Sequence, residues 1–248
     1  MGVDDGDAMI GEFDAQTFAT FTQPVDRSGV PAGMTDLGTQ TAYWNTIGAS
    51  KTFTHPVEHT WLARVDRRAR ILDYGCGYGR LVAELTDCGF TGVRGVDISA
   101  ALIERARRDR PELRFDVLTD PPSVDVPSAG ADMVLLFAVL TCVPADDAQR
   151  ELVGELTRVL APGGLLYISD LRLSDDDRNQ RRYAEYRGEL PFGTFTTDDG
   201  ATCRHHEPEH LVGLLADFDV LEQRRFSATT MNGHQAPGLQ ILARRRSL

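Results

Sequence analysis

A chain of 248 residues, 42% hydrophobic and 25% charged, has the apolar content for one α/β domain with extensions. Its net charge of −11 opposes binding to nucleic acid, whose phosphates demand a basic surface. No apolar run approaches the roughly 18 residues of a membrane span, and Cys76, Cys88, Cys142 and Cys203 form no CxxC pair or metal-ligand spacing.

Residues 1–39 are rich in Asp, Gly, Thr and Ala without hydrophobic periodicity, which predicts a flexible acidic arm. The arm lacks the basic region of a signal or transit peptide, so reduced thiols and a cytoplasmic location are expected. A cap follows over 40–66. QTAYWNTIGAS reads as a helix carrying Tyr43 and Trp44, and a second helix is expected from Pro56 to about Val65. Strands and helices then alternate over 67–171. ARILDYG is a strand, GRLVAELTDCG a helix ended by Gly89, and GVRGVDI a second strand. Ser99 caps a helix through Arg108 whose inner face is Leu102, Ile103 and Ala106. LRFDVL and DMVLLFAV are the third and fourth strands, the latter apolar throughout, as a doubly covered parallel strand is. DDAQRELVGELTRVL is an amphipathic helix stopped by PGG at 162–164, and LLYISDL is the fifth strand. The insert at 172–206 is polar. It holds a predicted helix with Arg178, Arg181, Arg182, Tyr183, Tyr186 and Arg187, followed by PFGTFTTDDG. Residues 207–247 close the domain with a helix, EPEHLVGLLADF, and two strands, FDVLEQRRFSATT and LQILARRR, paired across NGHQAPG. This alternation predicts right-handed crossovers and a parallel sheet.

The segment ILDYGCGYGR at 71–80 places Gly75, Gly77 and Gly79 at alternate positions after an apolar strand, and Asp97 ends the next strand. Such an arrangement makes a nucleotide-type cofactor site. The position that would complete GxGxxG is Arg80, where a pyrophosphate site needs a small residue for tight helix packing. The reading shifts to a cofactor with an adenosine and no phosphates.

With these residues in order, the chain from about 40 to 247 resembles the class I S-adenosylmethionine-dependent methyltransferases of the small-molecule type. Four motifs carry the resemblance: ILDYGCGYG, GVDIS, DMVLLFAVLTCVP and RVLAPGGLLYIS. It implies an α/β, Rossmann-like seven-stranded sheet, mostly parallel with an antiparallel C-terminal strand, and helices on both faces. It implies S-adenosyl-L-methionine as cofactor and S-adenosyl-L-homocysteine as product. By the same resemblance Asp73 orders the glycine loop and faces the cofactor's ammonium end. Gly75 and Gly77 let backbone lie against the methionine part and the ribose. Asp97 accepts both ribose hydroxyls, Ile98 lies on the adenine face, and Phe137 and Ala138 back the methionine chain. Two acids, Asp116 and Asp120, stand open as acceptors from the adenine amino group. If Asp120 serves, Pro121 has no N–H to give, and the ring contact passes to Thr119 or water.

Transfer of a methyl from a sulfonium is an in-line displacement, so a base is needed only when the acceptor arrives protonated. The cap offers Tyr43, Trp44, Lys51 and His55, and the insert offers Tyr183, Tyr186, His205 and His206. Asp170 ends the fifth strand and His234 lies in the last hairpin. His205 and His206 are the candidates for general base, although both also suit a helix start before Glu207-Pro208. The arginines of the insert suit an anionic acceptor or a solvated face. No metal, nucleic-acid or membrane partner is expected of this monomer or homodimer. The expected function is methyl transfer to O or N of a small molecule such as a specialised metabolite. The alternatives are a protein methyltransferase and a non-catalytic S-adenosylmethionine-binding protein.

Overall fold

A computed structural model of the protein describes residues 40–247; the acidic arm expected over 1–39 lies outside the described residues. The cap holds α1 (Thr41–Asn45), a short 3-10 turn (Gly48–Ser50) and α2 (His59–Leu62). The expected helix over 40–50 breaks at Thr46, whose backbone leaves the helical region (φ −121°, ψ −94°). The second helix starts at His59 rather than Pro56. Glu58 stays extended and its side chain accepts the Thr60 N–H at 3.2 Å, so it is the N-cap.

The core then runs β1 (Arg70–Tyr74), α3 (Arg80–Asp87), β2 (Gly92–Asp97), α4 (Ala100–Asp109), β3 (Arg114–Val117), β4 (Ala131–Phe137), α5 (Asp146–Val159) and β5 (Leu160–Leu171). Ser99 caps α4 by accepting the Leu102 N–H at 3.1 Å, as its position predicts. Helix α5 ends before PGG. Leu160 already pairs with Ala131, and PGG lies where the β4–β5 register shifts between Ala131 and Met133. The insert forms α6 (Asp177–Glu185) and a hairpin, β6 (Thr194–Thr196) with β7 (Thr202–Arg204), in a segment to which the sequence assigns no element. Tyr186 follows α6 in extended conformation, so Tyr183 and Tyr186 do not share a helix face. Helix α7 (Pro208–Gly213) and the long pair β8 (Phe218–Thr229) and β9 (Gln235–Arg245) complete the chain. The hairpin turn is Thr230–His234, and Pro237 and Gly238 belong to β9.

Seven strands pair in the order β3-β2-β1-β4-β5-β9-β8, with β9 antiparallel to both neighbours. The expected mostly parallel sheet with one antiparallel strand is therefore present. Successive strand residues point to opposite faces, and the core divides accordingly. Ile71, Met133, Leu135 and Tyr167 pack with Val82 and Leu85 of α3 and Ile103 of α4. Leu72, Val134, Leu136 and Ile168 pack with Leu152 and Leu156 of α5 and Leu211 of α7. Each such buried aliphatic side chain stabilises by about 1.5–3 kcal/mol, so both layers hold the strand ends in place. No described helix is long and apolar enough to cross a membrane.

The strand order reverses between β1 and β4, and the crevice beyond their carboxyl ends is the place where such sheets bind ligands. Gly79 begins α3 there in the left-handed region (φ +81°), and a Cβ on it would lie 2.5 Å from the Phe115 ring. Gly79→Ala should lower stability by roughly 1–3 kcal/mol, read as a reduced urea midpoint. An unchanged midpoint would show that the glycine loop is not held in this conformation.

Candidate active site

The glycine loop leaves β1 at Tyr74 and is fastened to β2 at once. The N–H groups of Gly75 and Cys76 both donate to Val96 O, at 2.8 and 2.9 Å. Gly75 has φ +76°, and a Cβ on it would lie 2.4 Å from Val139, so only glycine lets the loop approach the β4 exit. One residue beyond Val96, the Asp97 carboxylate accepts the Gly77 N–H on Oδ2 and the Ser99 N–H on Oδ1, each at 2.8 Å. Burial raises the Asp97 pKa against those two bonds. Each oxygen keeps a lone pair for a further donor. Gly75, Gly77 and Asp97 line a cleft of about 640 Å³, whose apolar walls include Ile98, Leu102, Leu118 and Pro121.

Asp73 is buried behind the loop, and neither of its carboxylate oxygens has a hydrogen-bond partner among the described residues. Burial pushes its pKa up to about 7; nearby Arg80 opposes that rise and Asp97 adds to it. A buried carboxylate without donors is costly, and it calls for a cationic partner. The cleft therefore fits a cofactor with vicinal hydroxyls for Asp97 and a flat base for the apolar walls; Asp73 is not among its lining residues, and its unpartnered carboxylate suits a cationic end lying across the glycine loop.

The remaining cofactor-side candidates fall differently. Ala138 (φ +57°) lines the cleft and donates its N–H to Ser169 O at 2.8 Å. Phe137 points into the α3 layer, its ring 4.7 Å from that of Tyr167, and does not line the cleft. Thr119 and Asp120 are exposed beyond β3 and are not among the lining residues, whereas Leu118 and Pro121 are. Asp116 is paired with Arg94 at 2.8 Å on β3. Asp170 is fully buried; its carboxylate accepts the Thr141 and Leu171 N–H groups at 3.1 and 2.7 Å and so braces the β4 exit. Burial pushes its pKa up to about 7.

A second cavity of about 650 Å³ adjoins the first, and Trp44, Phe53, Ala138 and Cys142 belong to both. His55 lines it. Its Nδ1 lies 3.1 Å from Ser169 O, and a carbonyl only accepts, so Nδ1 carries the proton and Nε2 the lone pair. Burial lowers the His55 pKa to about 4. His205 also lines the cavity, with Nδ1 2.6 Å from Tyr183 Oη and its ring edge-on to Phe195; burial and nearby Arg182 push its pKa well down. His206 does not line either cavity. Its Nδ1 donates to Leu171 O at 3.3 Å, its Nε2 accepts from Gln149 at 2.8 Å, and its ring stacks on His210. The two histidines separate because neighbours in an extended segment point to opposite sides.

The cap and the insert meet beside this cavity, at its lining residue Asn232, and Lys51 and Tyr43 line neither cavity. Lys51 Nζ contacts Asp199 at 2.5 Å and Asn232 at 2.6 Å, and Tyr43 donates to Asp199 at 3.2 Å. His234 is exposed in the β8–β9 turn and lines the cavity rim, whereas Tyr186 lies outside it, against Gly188. Phe53, Thr54 and Phe195 are lining residues without any sequence motif to mark them, and Val139 and Cys142 lie within DMVLLFAVLTCVP, which does not single them out. Among the described residues, no group of three His, Cys, Asp or Glu could hold a metal ion.

Asp73 makes the ligand-free protein sensitive to pH. Between about pH 4 and 7 the folded carboxyl keeps its proton while the unfolded one has lost it, so stability falls as pH rises. Asp73→Asn removes that dependence. The stability of the variant relative to wild type should rise by up to about 1.4 kcal/mol per pH unit and level off above pH 7. Parallel urea-midpoint curves for the two proteins would show that Asp73 is not desolvated.

A family model described as a methyltransferase domain matches residues 51–219. The ribosomal protein L11 methyltransferase of Burkholderia thailandensis is 30% identical over 156 residues, which are 61% of this chain and 49% of that protein. The chain thus spans about half the length of the curated relatives it matches. A solved S-adenosylmethionine-dependent methyltransferase from Methanosarcina mazei superposes with a TM-score of 0.72 at 23% identity, covering 77% of this chain and 99% of that one. The 1,6-didemethyltoxoflavin-N1-methyltransferase of Burkholderia thailandensis, solved with 1,6-didemethyltoxoflavin and S-adenosylhomocysteine, gives a TM-score of 0.59 at 19% identity. That match covers 84% of this chain and 85% of the other. The family match takes in the glycine loop, Asp97 and the β4 exit, and the chain belongs to the class I S-adenosylmethionine-dependent methyltransferases.

Proposed function

We propose that the protein transfers the methyl group of S-adenosyl-L-methionine to an oxygen or nitrogen of a small molecule. The observation that carries this reading is the shared wall of Trp44, Phe53, Ala138 and Cys142 between the two cavities. A donor held by Asp97 and Asp73 and an acceptor held beside His55 and His205 would meet there. The bound cofactor supplies a sulfonium-activated methyl.

The protein's own residues supply position and dryness. Asp97 accepts hydroxyl donors, Asp73 faces the ammonium, and the Gly75 backbone admits the ligand without a side chain in its way. Trp44 and Phe53 exclude water from the line of attack. His55 is neutral at pH 7, with Nε2 unprotonated, and it can take a proton from an acceptor hydroxyl or ammonium as the new bond forms. Its low pKa makes it a weak base, so alignment across the shared wall carries most of the rate. A cavity walled mainly by apolar side chains with a few polar groups suits a small molecule. The 1,6-didemethyltoxoflavin-N1-methyltransferase that shares the fold was solved with 1,6-didemethyltoxoflavin bound, in keeping with a small-molecule acceptor.

A protein acceptor is the second reading, favoured by the likeness to ribosomal protein L11 methyltransferase. Radiolabelled S-adenosylmethionine, incubated with the enzyme and cell extract, separates the two. The first reading places label in a new low-mass product resolved from S-adenosylmethionine by chromatography; label transferred only to protein would establish the second. Asp97→Ala should weaken S-adenosylhomocysteine binding by roughly 1.5–3 kcal/mol in calorimetry, the value of lost charge-assisted hydrogen bonds. Unchanged affinity would remove Asp97 from the site.

A further inference from the structure

We propose that the acceptor is an anion: an apolar body with a carboxylate or phosphate-type group, held by Arg178 and Arg182, at the end remote from the methylated atom. The orientation rests on the methyl-transfer reading; the anion site does not. The acceptor cavity has two open sides. One meets the cofactor cleft at Ala138. The other shares Arg178, Arg182, Thr197, Asn232 and His234 with an outer cleft of about 1030 Å³. A molecule reaching from the outer cleft to Ala138 passes between Phe53, Phe195 and Leu171, which are apolar, and ends on cations.

Arg178 and Arg182 stand four residues apart on α6 and share a face. Several other arginines are paired, Arg70 with Asp132, Arg110 with Asp87 and Glu112, and Arg158 with Glu155, whereas Arg181 of the outer cleft has no ion pair among the described residues and adds to the positive charge there. Among the described residues neither Arg178 nor Arg182 is paired with a carboxylate. The Arg182 guanidinium lies 3.4 Å from the Phe195 ring centre, which fixes its plane, and its Nε is buried without a hydrogen-bond partner. Burial and neighbouring Arg178 both act against its charge. An incoming anion would relieve both and accept from that Nε. The acids of the outer cleft do not fill this role. Asp199 is already bound by Lys51, Thr197 and Tyr43, and Glu185 and Asp198 are exposed to solvent.

The test is calorimetry on the full chain with three probes: 3-phenylpropanoate, its neutral amide 3-phenylpropanamide, and phenyl phosphate. The proposal expects at least one anion to bind tenfold or more tighter than the amide, and the tighter anion identifies the group recognised. Arg178→Gln and Arg182→Met should each weaken that anion about tenfold and leave S-adenosylhomocysteine affinity unchanged. Arg178 is exposed, so its variant carries the test even if loss of the Arg182–Phe195 stack unfolds the other. Equal binding of acid and amide, no anion binding at millimolar concentration, or full affinity in Arg178→Gln would overturn the proposal. The probes are titrated with and without S-adenosylhomocysteine. Failure of that ligand to bind would count against the methyl-transfer reading and leave the anion result intact.

Discussion

The Asp97 carboxylate connects the parts on which the site depends. Its two oxygens accept N–H groups from the glycine loop and from the start of α4, and its backbone carbonyl accepts the Leu118 N–H. Loop, helix and the chain beyond β3 therefore take their positions from one residue at the end of β2. The same residue is the one we propose to meet a ribose. Holding a carboxylate there costs desolvation, and its backbone donors offset part of that cost. Asp170 repeats the device at the end of β5, where it holds Thr141 and hence the β4 exit that separates the two cavities. Two buried acids at strand ends thus set both sides of the shared wall.

The titratable groups of the site oppose one another in pH dependence. Asp73 and Asp170 have raised pKa values, so each favours the folded state less as pH rises through 4 to 7. His55, His205 and His206 are held neutral by burial, so each favours the folded state less as pH falls below 6.5. The opposing slopes overlap near pH 4–6.5, which moderates the change in stability across that range. A cationic ligand end beside Asp73 would tip this balance by favouring the ionised carboxylate.

Much of the fold was legible because strand and helix periods are written in single residues. From Met133 to Val139 the fourth strand and its exit are apolar at every position because β4 is covered on both faces, and Ser99 caps α4 because its hydroxyl precedes an apolar helical stripe. Asp97 was legible because it combines an acid, a strand end and an upstream glycine loop. The acceptor side was less so. The histidine pair at 205 and 206 gives no clue to which ring faces inward until the extended backbone sets the alternation. Tyr186 falls just past the end of α6, whose nearest following glycine, Gly188, would allow the helix to run on through Tyr186. The β6–β7 hairpin is held by Gln40, which contacts Thr202 through both its oxygen and its nitrogen, across 162 residues of chain. A contact so remote leaves no local pattern. Phe137 was placed on the cofactor because it ends β4, but the period-two alternation turns it to the α3 layer and leaves Ala138 at the wall.

The central claim is that the two cavities are the donor and acceptor sides of one reaction, meeting at Ala138. A crystal structure with S-adenosylhomocysteine tests it most directly. The account predicts ribose hydroxyls on Asp97, the ammonium on the Asp73 side of the glycine loop, and the sulfur directed past Ala138 towards His55. Product bound away from Asp97, or with its sulfur turned from the second cavity, would contradict it.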